Sequence, residues 1–237
     1  DRFTLRLRTL TQPDVQTAAV ALAARQLSAP AFPATVWQRQ RQRLIAAWQD
    51  AQTRPDTQAE HRFYQAVYGT HPYGQEAQPS TWDAIAVQDM RAFYQRHAQT
   101  CHANVTLVGD IDRARANQLV QDLLAGWGDH GCTVLPPVPD VAALETAQNI
   151  QLPFAAAQAQ VWVGQPGVAR SDPAYFPLLV GNHILGGGGF VSRLTQEVRE
   201  KRGLSYSVYS YFSPGLHAGA FTLGLQTRPD QAAQAVQ

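Results

Sequence analysis

"ILGGGGFVSRLTQEVREKRGLSYSVYS", residues 184–210, passes through a glycine run, a charged helical stretch and the start of a strand. Gly186, Gly187, Gly188 and Gly189 separate one helical pattern, "DPAYFPLLVGNHIL" (172–185), from the next, "FVSRLTQEVREK" (190–201). No Lys-Ser or Lys-Thr follows them, so a phosphate-binding loop is the weaker reading and a flexible helix–helix connection the stronger. Gly203 ends the charged run, and Leu204 to Tyr209 alternate with the two-residue period of a strand. Arg199 therefore falls at a helix end and Tyr206 inside a strand, seven positions apart (206 − 199 = 7).

Outward from this stretch, the turn "SPGLH" joins expected strands at 204–212 and 217–226, and "NIQLPFAAAQAQVWVGQPG" (149–167) reads as another strand. The segment 129–147 holds three prolines and little periodicity, as an interdomain linker does. Upstream, strands are expected at 2–9 and 103–110. Helices are expected from Pro13 to Gln26, Pro33 to Thr53, Pro55 to Tyr68, Val87 to His97 and across 111–127, with a further helical start at Thr81–Asp83 and a turn at "GTHPYG". In the first of these helices Val15, Ala19, Leu22 and Ala23 are the candidate core positions. The predicted fold class is α+β, with helices packed on largely antiparallel sheets. The predicted division is a first domain at 1–128, a linker at 129–148 and a second domain at 149–237. The first residues show neither an initiator Met nor a signal peptide's apolar stretch, and the last stop part-way through a helical pattern. Both domains are thus expected to be truncated pieces of a longer protein.

At 237 residues and 45% hydrophobic, the chain can bury real cores. No apolar run reaches the ~20 residues of a membrane span. A net charge of +1 argues against a dedicated nucleic-acid binder. The basic run "RQRQR" (39–43) is the solvated face of a helix whose buried side carries Trp37, Leu44 and Trp48. Cys101 and Cys132 have no metal-ligand spacing; they can pair in an oxidising compartment, but unpaired, partly buried thiols are the expectation. The seven histidines make no His-x-x-x-His pair and no His-x-x-Glu-His motif, and no Gly-x-Ser-x-Gly elbow occurs. No catalytic residue is assigned on this basis.

The order of the segments is informative as a whole. "HPYG" (71–74), a helix ending "FYQRH", "ANVTLVGDID", "LLAGWGD", the proline-rich linker and the stretch 184–210 follow one another as in the pitrilysin/insulinase zinc metallopeptidases, which include the mitochondrial processing peptidases. The chain resembles that family across nearly its whole length, as the second half of one family domain, a linker and the first part of the next. The resemblance implies that Arg199 and Tyr206 contact substrate peptide, and that Gly186–Gly189 match a glycine-rich segment implicated in peptide handling. Both side chains donate hydrogen bonds of the kind peptide carbonyls accept.

The resemblance also implies zinc held by two histidines and a later glutamate. Aligned on Pro55 and "RQR", the glutamate position falls on Ala47 and a neighbouring family glutamate on Gln40; no glutamate precedes Glu60. The histidine helix would lie upstream of residue 1. No metal ligand and no cofactor are therefore assigned to this chain, and zinc is expected in a partner subunit bearing His-x-x-Glu-His. The leading expectation is a proteolytically inactive, peptide-binding subunit or segment that completes the chamber of that partner, in a bacterial periplasmic or secreted setting. The alternatives are an active metallopeptidase with Asp50 as an atypical third ligand, and a non-proteolytic structural core subunit like those in respiratory complexes.

Overall fold

Proline, whose missing amide hydrogen costs nothing at a first helical position, opens α1 (Pro13–Ser28) and α3 (Pro55–Tyr68), and also the short α4 (Pro79–Asp83). The computed structural model describes residues 3–128 and 131–237. His130, the first position of the expected amino-terminal strand and the start of the expected linker lie outside the described residues. The fold class is α+β, with helices and a small antiparallel sheet. The chain divides into two compact units, and one of the boundaries falls within α2 (Ala34–Ala51).

The first unit takes the described residues up to Leu44 together with Pro79–Pro136. It is helical: α1, the start of α2, α4 (Pro79–Asp83), α5 (Val87–His97) and α6 (Arg113–Leu124). The buried face of α1 is Gln16, Val20, Ala23, Ala24 and Leu27, a stripe of helical period. Val15 and Leu22, expected in the core, are instead exposed. The helix turns this other face inward because it packs on α6, where Arg115 Nε donates to Gln16 Oε1 at 3.0 Å and Leu119 is buried. Asp112 caps α6, its carboxylate accepting from Arg115 N at 2.7 Å. The Trp37 indole donates to Ile85 O at 2.9 Å, and Tyr94 donates to Leu27 O at 2.7 Å.

The expected strands at 2–9 and 103–110 are not present: the described residues there have no ladder partner and belong to no strand. Alternation of side chains prepares a strand, but the ladder requires a neighbour to supply its hydrogen bonds. Cys101 and Cys132, expected as free thiols, are joined in a disulfide with their Cα atoms 6.0 Å apart. The short 3₁₀ turn Thr100–His102 carries one cysteine to the other.

The second unit is Ile45–Gln78 with Pro137–Gln237. Its sheet runs in the order β1 (Ala159–Pro166), β3 (Ala220–Thr227), β2 (Ser207–Phe212), with both pairings antiparallel. Val161 and Val208 both face Leu225 in register. Val198, Leu204, Val208 and Leu225 form one buried cluster, bordered by Leu194 and Leu223. A second cluster sets Phe63 and Val67 of α3 against Ala220, with Trp162 beside them.

That second cluster is why the units differ from the predicted division: α3 packs on β1, so Ile45–Gln78 groups with the later segment. His71 of "HPYG" is also buried here. Its Nδ1 accepts from Tyr73 N at 3.1 Å, so the neutral ring carries its proton on Nε2, which donates to Pro139 O at 2.9 Å.

Candidate functional site

Helix α7 (Tyr175–Asn182) does not stop at the glycines but widens into a π-helical turn, His183–Gly187. Gly186 is buried, and a Cβ there would lie 2.6 Å from Ser210 N and 2.7 Å from Leu194 Cδ1. Side chains at Gly187 and Gly188 would meet Asn182 Nδ2 and His183 O, each at 2.6 Å. Gly189 has φ +61°, the left-handed region. The run is therefore a packed turn rather than a flexible connection: three glycines permit close approach and the fourth permits the change of direction. Beneath it, Asn182 Nδ2 donates to Ser210 O at 3.0 Å and Ser210 Oγ donates to Asn182 Oδ1 at 2.7 Å, all buried. This pair ties the turn to β2, and with its members 28 positions apart no local pattern announces it.

Ser192 is fully buried and starts the next helical segment, its hydroxyl donating to Thr195 Oγ1 at 3.0 Å and accepting from Thr195 N at 3.4 Å. A second π-helical turn, Thr195–Glu200, follows. Val198 points into the core cluster while its neighbour Arg199 is partly exposed. Gly203, at φ +62°, reverses the chain, with Gly203 N donating to Arg199 O and Leu204 N to Val198 O, both at 2.9 Å. Leu204 and Ser205 are buried, and Tyr206 is 78% exposed. Tyr206 lies at a bend one residue before β2 rather than inside the strand, because ladder pairing begins at Ser207 with Gln226.

The structure brings Arg199 and Tyr206 together. The guanidinium carbon sits 4.9 Å from the Tyr206 ring centroid and 4.9 Å from that of Phe190, both within cation–π reach. Arg199 Nε pairs with Glu200 Oε1 at 3.3 Å. A charged fork stacked against two exposed rings suits recognition of a polar main chain flanked by apolar groups. Phe190 is legible as a residue of the motif, but its contact with Arg199 depends on the turn at Gly189–Ser192, upstream of the reversal at Gly203 that brings in Tyr206. Further along β2, Tyr211 Oη lies 3.5 Å from Tyr64 Oη of α3. Burial, then the contact with Tyr211, pushes the Tyr64 phenol far above its usual range. Burial also raises Tyr209.

The metal side of the family pattern does not fit. Ala47 is exposed on α2 and offers a methyl group; Asp50 is that helix's only carboxylate, also exposed, as is Gln40. Among the described residues, the group of three or more potential ligands that converges is Cys101, His102 and Cys132, which belongs to the first unit. No step through a catalytic zinc is assigned to these residues.

Residues 84–237 match the family described as the peptidase M16 inactive domain. An "uncharacterized zinc protease" of Streptomyces coelicolor is 36% identical over 158 residues, covering 64% of this chain and 34% of that protein. The crystal structure of a peptidase M16 inactive domain from Pseudomonas fluorescens superposes with a TM-score of 0.86 at 31% identity, over 96% of this chain and 55% of the other. A protease from Helicobacter pylori shares the fold alone, at a TM-score of 0.82 and 16% identity, over 93% of this chain and 55% of that one. The chain thus spans between a third and just over half of these relatives. With its motif order, its fold and these matches in agreement, the chain belongs to the M16, or pitrilysin, peptidase family as a non-catalytic member or segment.

Proposed function

We propose that this chain binds extended peptide and completes the chamber of a zinc-bearing pitrilysin-type partner that carries His-x-x-Glu-His. The observation that carries the reading is the stack of Arg199 on Tyr206 and Phe190, beside β2. Strand β2 pairs only with β3 among the described residues, so its other edge has no strand partner there. A peptide lying along that edge would find main-chain donors and acceptors in register, and Arg199 and Tyr206 as side-chain donors to its carbonyls. The lack of a carboxylate at Ala47 supports assigning the chemistry to the partner. The chain holds and orients substrate, and the partner's zinc supplies the hydrolytic step. Zinc-protease relatives and a periplasmic or secreted setting are consistent with substrates that are unfolded segments or short peptides.

The experiment is peptide cleavage by the full-length protein with a His-x-x-Glu-His partner. Arg199→Ala removes a charged donor worth roughly 1.5–3 kcal/mol, so kcat/KM is expected to fall by about ten- to a hundredfold. Normal cleavage with Arg199 and Tyr206 both replaced by alanine would falsify the peptide-handling role and leave a scaffold.

A further inference from the structure

We propose that Cys101, His102 and Cys132 form, once their disulfide is opened, a surface site for a thiophilic divalent cation, zinc foremost, with water in the fourth position. The ligand atoms of these three residues lie within 4.8 Å of one another, and all three residues are exposed. Two thiolates and one imidazole form a donor set that tetrahedral zinc accepts, and a three-residue set leaves one position open.

Contacts other than the disulfide hold the locus together. Gln99 is buried, and its amide oxygen accepts from Thr133 N at 3.0 Å. The Gln99 amide nitrogen reaches Thr133 Oγ1 at 3.5 Å. His102 Nε2 lies 3.0 Å from Thr133 O. A carbonyl only accepts, so Nε2 carries the proton and Nδ1 keeps the lone pair that a metal needs. A backbone carbonyl on the second nitrogen is the usual device for fixing the tautomer and orientation of a ligating histidine. These bonds place Cys132 opposite Cys101 whether or not the sulfurs are joined. Tetrahedral zinc with bonds of about 2.3 Å needs sulfurs about 3.8 Å apart. With Cα atoms 6.0 Å apart, side-chain rotation achieves that spacing on a fixed backbone.

The chemistry balances with a small thiol as reductant. Two thiol molecules give two electrons and two protons to the disulfide, producing two cysteine thiols and one small-molecule disulfide. Metal binding then releases the two cysteine protons to solvent as the thiolates coordinate. Disulfide and metal site are thus alternative states of one pair of sulfurs.

Cobalt(II) is a suitable probe because its thiolate complexes are coloured. The full chain, reduced with a phosphine and desalted without oxygen, is expected to take up one cobalt per chain with a thiolate-to-cobalt charge-transfer band that zinc abolishes. The oxidised chain is expected to show no such band. Cys101→Ser and Cys132→Ser should each lose the band, and His102→Gln should weaken binding at least as much as the 10–100-fold typical for loss of an outer-shell partner. Unchanged far-ultraviolet dichroism in these exposed-site variants would exclude misfolding as the cause. Failure of the reduced chain to bind cobalt, or binding by either serine variant as tight as that of the reduced unmutated chain, overturns the proposal.

Discussion

Asn182 and Ser210 show how much one buried pair decides. Ser210→Ala leaves the Asn182 side-chain oxygen without its donor in a dry site, a loss of about 1–3 kcal/mol in urea unfolding. A change under ~0.5 kcal/mol would mean that the amide finds another donor. At Gly186 a methyl group must displace Leu194 or the β2 backbone, so Gly186→Ala should destabilise by about 1–3 kcal/mol, measured the same way. Tyr206→Phe keeps the ring beside Arg199 and removes only a hydroxyl, so peptide turnover should fall less than with Arg199→Ala. Tyr206→Ala should cost more than the phenylalanine variant, because it also frees the guanidinium; equal losses would assign the whole effect to the hydroxyl. Arg199 and Tyr206 were legible from a motif and its spacing. The Asn182–Ser210 pair and the Cys101–Cys132 bridge were not, since their members stand 28 and 31 positions apart and only the tertiary fold supplies the proximity.

Helix starts are legible in this sequence where strands are not, and the reason is the range of the forces involved. Pro55 and Val87 open α3 and α5 where the sequence places them, because capping and proline geometry act within a turn. The stretches 2–9 and 103–110 have strand-like alternation, yet pairing depends on a distant segment. The two π-helical turns were missed because one residue added to a turn leaves a 3.6-residue pattern nearly intact. The α3–β2 contact also carries a pH signature. Burial raises the Tyr64 and Tyr209 phenols, so the folded chain keeps protons that the unfolded chain, with tyrosine near pKa ~10, gives up. The stabilisation is full below about pH 10 and declines as pH rises through the raised folded values. Urea midpoints should therefore drop on the alkaline side of about pH 10, and Tyr64→Phe should flatten that drop; an identical slope in the variant would remove Tyr64 from the account.

At the scale of the whole molecule, the described part of the proline-rich segment is tethered at three points. Thr133 is bonded to Gln99 and His102, Pro139 to His71, and Asp140 to His217 at 2.8 Å. Residues 141–158 carry no helix or strand, so limited proteolysis should cut there before it cuts α3 or the sheet. First cuts within 87–128 would place the weak point elsewhere. With the disulfide intact, the chain is expected to retain no stoichiometric zinc after dialysis against trace metal, and Ala47→Glu alone should not confer hydrolysis. About one tightly held ion per oxidised chain would contradict the ligand inventory around α2. Phe176, Val180, Ile184, Phe190 and Val191 are more than half exposed, so sedimentation should reveal self-association that grows with concentration.

Gly203 has a consequence for how the site must be dissected. Because the reversal is bonded back to the carbonyls of Val198 and Arg199, the guanidinium and the phenol reach the surface as one cassette set by a single peptide corner. Their contributions to any ligand are then not separable by single substitutions. A double-mutant cycle on Arg199 and Tyr206 should close with a coupling energy of about 0.5–3 kcal/mol rather than zero. Gly203→Ala, whose methyl would meet no neighbour, strains only the left-handed corner and should cost about 1–2 kcal/mol in urea unfolding while leaving that coupling in place.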